Sequence, residues 1–133
     1  MARRIALNLV ALVVLPLAGC GGANELTSVT ITPATADARN FPNGRVQFTA
    51  MGTYSSSSKP VPLANITWCI GSSNGLCNGN IASSGTVDSN GLATCTGVLN
   101  GTATILAGTV NSMGMPDTGI QLNLFGIAKF TCP

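Results

Sequence analysis

The sequence predicts an all-β domain, a sandwich of antiparallel strands, and three observations point to it. Apolar and polar residues alternate in short runs, the period of a strand with one buried face. Turn-forming Pro, Asn, Asp and Gly separate those runs at the spacing of about 8–12 residues that a sandwich requires. Only 8% of the 133 residues are charged while 45% are hydrophobic. That balance excludes disorder, and the abundant Thr suits exposed sheet faces.

The alternating runs begin only after an N-terminal segment of another kind. Arg3 and Arg4 precede an apolar stretch over residues 5–17, interrupted by Asn8 and Pro16. It is shorter than the ~20 residues of a spanning helix and has the form of a signal peptide. Leu17-Ala18-Gly19-Cys20 closes it. These four residues resemble the lipobox of bacterial lipoproteins; an ordinary secretory leader and an uncleaved anchor are the alternatives. The resemblance implies cleavage between Gly19 and Cys20 and lipid attachment at Cys20, a diacylglyceryl thioether usually joined by an acylated amino terminus. Each buried methylene contributes ~0.8 kcal/mol, so two or three chains would anchor the protein essentially permanently. Gly21 resembles the outer-membrane sorting choice. The chain then divides into a signal peptide (1–19), a lipidated cysteine with a short tether (20–26) and a β-sandwich domain (27–133). Residues 21–25 reach at most ~18 Å, so the domain would sit close to the lipid headgroups.

Without Arg3 and Arg4, the cations Arg39, Arg45, Lys59 and Lys129 balance Glu25, Asp37, Asp88 and Asp117. A neutral domain offers no basic patch for nucleic acid.

The strands follow in order. Val29 and Ile31 alternate with Ser28, Thr30 and Thr32, and Pro33 ends this edge strand, A. Pro42-Asn43-Gly44 is a turn before strand B, where Val46, Phe48 and Ala50 face inward and the run continues to Tyr54. Ser55 to Ser58 read as a polar loop, with Pro60 and Pro62 keeping the approach to strand C extended. In C, Ile66, Trp68 and Ile70 share one face, and Trp68 is the largest core piece available. Ile81 marks a short edge. Asn90-Gly91 between Thr86-Val87 and Leu92-Ala93-Thr94 signals a hairpin. Strand F covers Thr102 to Ala107, with Ala103 and Ile105 inward. In the last strand Ile120, Leu122 and Leu124 are in phase, and a bulge is expected at Phe125-Gly126.

About seven short strands with a Trp on the third make an immunoglobulin-like antiparallel β-sandwich. The inward positions of B and F carry Phe48, Ala50 and Ile105, not cysteine, so apolar packing is expected to hold the sheets together. Trp68, Phe48, Val46 and Ile105 are the expected core.

Five segments carry a closer resemblance. They are Val29-Thr30-Ile31-Thr32-Pro33, Val46-Gln47-Phe48-Thr49-Ala50, Thr67-Trp68, Val87-Asp88-Ser89-Asn90-Gly91-Leu92 and the Gly-Thr-Ala-Thr-Ile run from Gly101 to Ile105. In this order they resemble the group-2 bacterial immunoglobulin-like domains, over most of the chain after Cys20. The resemblance implies a setting in adhesins, surface layers or polysaccharide-associated proteins, often as a spacer. Four extra cysteines and the tail from Val110 to Pro133 depart from the family pattern; the tail would lengthen the last strand.

Groups able to carry chemistry are few. There is no histidine, which excludes imidazole acid–base chemistry and His-ligated metals. Asp88-x-Asn90-Gly91 has the start of a calcium loop without its later ligands, and reads as the hairpin turn. Asn65-Ile66-Thr67 and Asn100-Gly101-Thr102 fit a glycosylation sequon that a bacterial host would normally ignore. No catalytic residue, metal site or cofactor is expected.

Cys69, Cys77, Cys95 and Cys132 are an even set, as two disulfides in an exported domain require. Three connectivities are open. Cys69–Cys77 with Cys95–Cys132 is favoured, because the ends of strands C, E and G share one pole of an immunoglobulin sandwich. The first would staple the loop leaving C and the second would fix the tail.

The expected function is that of a lipid-anchored envelope protein, a structural, adhesive or interaction module on the membrane, expected at the outer one and facing the periplasm or the cell surface. Its expected partners are the membrane, through Cys20, and envelope polysaccharide or other envelope proteins. The alternative is an envelope carrier or binding protein for a small ligand or polysaccharide. Met113, Met115 and Pro116, in the loop from Gly108 to Gly119, form a candidate contact site at the pole opposite the cysteines.

Overall fold

A computed structural model of the protein describes residues 24–77, 83–97, 99–110 and 119–133. The strands are β1 (Leu26–Thr32), β2 (Thr35–Asp37), β3 (Arg45–Gln47), β4 (Thr49–Tyr54), β5 (Ser57–Pro62), β6 (Thr67–Ile70), β7 (Leu76–Cys77), β8 (Gly85–Val87), β9 (Leu92–Cys95), β10 (Gly101–Val110) and β11 (Ile120–Cys132). One layer runs β2-β11-β10-β6, and β7 adds to the far end of β11. The other consists of β1-β4-β5 and β3-β9-β8. Strands β3 and β4 are one strand B, broken only at Phe48, whose N–H donates to the Gly91 carbonyl at 2.9 Å. With β1 as strand A, β6 as C, β8 as D, β9 as E, β10 as F and β11 as G, the order is A-B-E-D against C-F-G, an all-β sandwich of immunoglobulin type.

Strand B alternates as its sequence predicts, with Val46, Phe48 and Ala50 buried and Arg45, Gln47 and Thr49 exposed. Val29, Ile31, Ala103 and Ile105 are buried as well. The centre of the core is an aromatic pair: Phe48 of one sheet meets Phe130 of the other edge-on, with ring centroids 6.1 Å apart and planes at 84°. Trp68 does not hold that place. It is half-buried and packs at the rim of the core, because its strand is the edge of its sheet, with the Gly91 turn against its ring.

Four further expectations are corrected. Strand A does not stop at Pro33: after a cis Thr32–Pro33 peptide it crosses to the other layer, and β2 pairs parallel with β11 from Lys129 to Thr131. The polar loop expected at Ser55 to Ser58 shrinks to a two-residue turn at Ser55 and Ser56; β5 starts at Ser57 and pairs antiparallel with β4 as an exposed edge. Leu63 N–H donates to Ala50 O, so in this register Pro60 and Pro62 occupy the outward-facing positions. Proline has no N–H to offer there, which blunts the edge against a further strand. The bulge lies at Asn123, opposite Thr109 and Val110, and pairing continues without a break through Phe125 and Gly126. Leu122 and Leu124 consequently face opposite ways: Leu122 joins an outer cluster and Leu124 the inner core. Finally, β10 runs to Val110 and β11 begins at Ile120, so the loop between them is shorter than the span from Gly108 to Gly119.

That outer cluster was not expected. Cys77, Leu106 and Leu122 are buried with Cys69 and Phe125 on the outer face of the C-F-G layer. Residues 71–77 cover them, held by the Gly71–Cys77 bridge, β7 and a Leu122 N–H to Gly75 O bond of 2.9 Å.

Candidate binding cleft

Both disulfides have the favoured pairing. Cys69–Cys77 closes at an S–S distance of 2.04 Å and Cys95–Cys132 at 2.03 Å. They do not share one pole. Cys95 and Cys132 end β9 and β11, whereas Cys77 pairs with Ile120 at the start of β11. Cys77 therefore sits beside the chain that flanks residues 111–118, not opposite it. Cys95–Cys132 also joins a strand of one layer to a strand of the other, so apolar packing is not all that holds the sheets.

Gly19, Cys20, Ile81, Met113, Met115 and Pro116 lie outside the described residues, as do the rest of the leader and residues 21–23 of the tether. Within the described part, β1 opens at Leu26.

The site with the most distinctive chemistry lies where strand B changes partners. Phe48 bonds to Gly91, ahead of β9, and Ala50 bonds to Leu63, after β5. Positions 48 and 50 point their backbone groups to the same side, so β9 and β5 lie end to end along B with a gap between them. Over that gap opens a cleft of about 530 Å3, lined by Gln47, Thr49, Leu63, Asn65, Ile66, Trp68, Ser89 and Asn90, together with Phe48, Ala50 and Ala64.

Three elements hold the lining in place. Gln47 closes the ladder: its Nε2 donates to Phe48 O at 2.9 Å and to Asn90 O at 2.7 Å, which spends both amide protons and leaves Oε1 as the group on offer. The β8–β9 turn presents Ser89 and Asn90. Asp88 Oδ1 accepts from Asn90 N–H at 2.8 Å and Leu92 N–H at 2.9 Å, so this carboxylate caps a hairpin turn as the sequence predicts. Gly91 completes the turn at φ +80°, where a Cβ would stand 2.6 Å from Phe48 O and 2.8 Å from Trp68 Cζ2; no larger residue fits. Trp68 is fixed by β6, opposite Ala107 of β10. Its indole N–H has no hydrogen-bond partner among the described residues, yet it is not a buried orphan. It is open to solvent. A second hollow of about 400 Å3 shares Trp68 and runs past Ile70, Val87 and Ile120.

No charged side chain among the described residues lines the cleft. The one ion pair among the described residues lies elsewhere: Arg39 Nη2 stands 2.6 Å from Asp37 Oδ2 on the surface. Hydrogen bonds from the Arg39 guanidinium, and then from its backbone N–H, hold the Asp37 carboxyl down to about 2. The same carboxylate caps the short 3-10 turn Ala38–Asn40. No group of three His, Cys, Asp or Glu side chains gathers to hold a metal among the described residues, and no helix among them is long and apolar enough to cross a membrane.

Of the expected core residues, Val46, Phe48 and Ile105 form the interior, and Phe48 and Trp68 also line the cleft. The amides of Gln47, Asn65 and Asn90 were not singled out for binding. They are far apart in sequence, and only the break in the ladder of strand B brings them to one opening. The chain matches no model of a known protein family, and no curated protein matches it significantly.

Proposed function

We propose that the protein is a lipid-anchored envelope protein whose single immunoglobulin-like domain, of the group-2 bacterial type, serves as a structural and adhesive module and not as an enzyme. The observation that carries the reading is the Leu17-Ala18-Gly19-Cys20 stretch standing just ahead of a doubly disulfide-bonded sandwich whose first strand opens at Leu26. Disulfides of this kind suit an oxidising compartment, and a strand beginning so soon after Cys20 leaves a short leash. Strand A also runs alongside β11, with Gly126 against Val29 and Thr30 and β2 beside Lys129–Thr131. By that direction it starts at the end of the sandwich near Ile120, which would turn that end toward the lipid. A neutral surface of Thr, Ser and Asn suits weak, repeated contacts to envelope polymers or neighbouring proteins, and many copies on one membrane would add avidity.

Metabolic labelling with an alkynyl fatty acid tests the anchor. The wild-type chain should take up label at Cys20 and fractionate with membranes, and Cys20→Ala should lose the label and accumulate unprocessed. Mass spectrometry finding an unmodified Cys20 in the mature wild-type protein refutes it.

A further inference from the structure

We infer that the cleft beside strand B is a binding site for a neutral sugar unit of a glycan. The inference deepens the proposed function by naming the polymer class that such a module would touch; the chemistry of the cleft itself is independent of lipid on Cys20.

The lining decides the class. Its volume, about 530 Å3, lies within the ~300–1,000 Å3 of small-molecule sites. With no charged side chain in the lining among the described residues, nothing there compensates a phosphate, a carboxylate or an ammonium, and desolvating one would be costly. What the cleft offers is a partly exposed indole with an open N–H and the side chains of Gln47, Thr49, Asn65, Ser89 and Asn90. The carboxamides of Asn65 and Asn90 and the hydroxyls of Thr49 and Ser89 have no hydrogen-bond partner among the described residues. Carboxamides both donate and accept, as sugar hydroxyls do. An indole gives a broad apolar surface with one donor, which matches a pyranose: a C–H face edged by hydroxyls. A purely apolar ligand would leave the amides unpaired at a cost. The parts are also preorganised. Gln47 is tied to two carbonyls and Asn90 sits in a turn fixed by Asp88 and Gly91, so little ordering entropy is lost on binding.

Trp68 is the chain's only tryptophan, so intrinsic fluorescence reports on this cleft directly. Full-length protein in a detergent without a sugar headgroup would be titrated with maltotriose, cellotriose and chitotriose. The expected result is a saturable, millimolar change in Trp68 emission with at least one of them. Amide chemical-shift changes should be confined to residues 47–50, 63–68 and 89–91. Asn65→Ala, an exposed position with no hydrogen bond to lose, should keep the melting temperature and weaken that binding by roughly three- to tenfold, the value of one hydrogen bond. Trp68→Phe, followed by NMR, should weaken it further. The inference is overturned by no response to any of the three sugars, by shifts centred elsewhere on the domain, or by affinity unchanged in Asn65→Ala. Because the readout is binding in purified protein, its failure leaves the anchoring result untouched, and an unlipidated Cys20 leaves the cleft standing.

Discussion

The two faces of the C-F-G layer are buried by different means, and the two disulfides divide between them. On the inner face Ile105, Ala107, Ala128 and Phe130 meet Val46, Phe48 and Ala50 of the opposing sheet, large surfaces brought together by the topology itself. Cys95–Cys132 bolts that arrangement at one end, joining β9 to β11 across the sandwich. On the outer face no second sheet lies among the described residues. Leu106 and Leu122 are fully buried there only because residues 71–77 fold back over them, with Cys69–Cys77 fastening the flap to β6. Burial that a second layer supplies on one side is supplied on the other by a short, covalently held cover. A domain this small gains from using both faces of its longest strands.

The largest expected loss comes from the centre of the inner face. Phe130→Ala removes a side chain with no exposed surface and the partner of Phe48. Truncations of this kind cost ~3–5 kcal/mol, a large share of the 5–15 kcal/mol that holds an ordinary domain together. Denaturant unfolding measures it. A loss no greater than that of an exposed residue would mean that the two sheets do not meet at this pair.

The disulfides come next, and removing each tests the contrast between faces. In the chain-entropy picture the link between Cys95 and Cys132, 37 residues apart, contributes ~3.8 kcal/mol. The link between Cys69 and Cys77, 8 apart, contributes ~2.5 kcal/mol. Replacing both members of a pair with alanine should therefore lower global stability more for the long link than for the short one. Losing the short link should also act locally. The amides of Ser72, Gly75 and Leu122, which bond within and beneath the cover, should exchange faster while those of Ala103 and Ile105 keep their protection. Equal protection at both sets after the short link is removed would show that the cover stands without its disulfide.

The contrast also explains what was legible in the sequence. The inner face was, because alternation is a local signal: Val46, Phe48 and Ala50 read as one face without knowledge of the fold. The cover was not. Its residues, Gly71, Ser72, Ser73, Asn74 and Gly75, have the composition of a loop, and what they bury belongs to distant strands. Gly75 is needed there because its φ is +85° and a Cβ would run into the Phe125 ring, a requirement set by a residue fifty positions away. Phe130 was missed for a related reason: a bulge expected at Phe125-Gly126 would put it out of phase with Leu124 and turn it outward, whereas the bulge lies at Asn123 and leaves Leu124 and Phe130 on one face. The cleft is the extreme case. Its amides are ordinary residues whose meeting depends on where β5 stops and β9 starts along strand B.

The smallest expected effect is electrostatic and sits at the bolted end of the sandwich, where Asp37 lies opposite Thr131, next to Cys132. The Asp37 carboxyl is held near 2, below its ordinary 3.8, chiefly by the hydrogen bond from the Arg39 side chain. A carboxyl whose pKa falls on folding adds stability above its unfolded value and loses that contribution as pH drops through its folded value. The contribution should thus be intact at neutral pH and fade between about 4 and 2. Both side chains are at the surface, so solvent and salt screen the pair and its worth is small. Following the Asp37 carboxyl carbon by NMR across that range should give a midpoint near 2 in the wild type, and Arg39→Ala should raise it toward the ordinary value. The melting temperature of Arg39→Ala at neutral pH should change far less than in either cysteine variant. A midpoint already at the ordinary value in the wild type would show that the pair is not formed in solution. In that case the turn Ala38–Asn40 is held by its packing against β11, by the pairing of β2 with β11 and by the covalent bolt beside them.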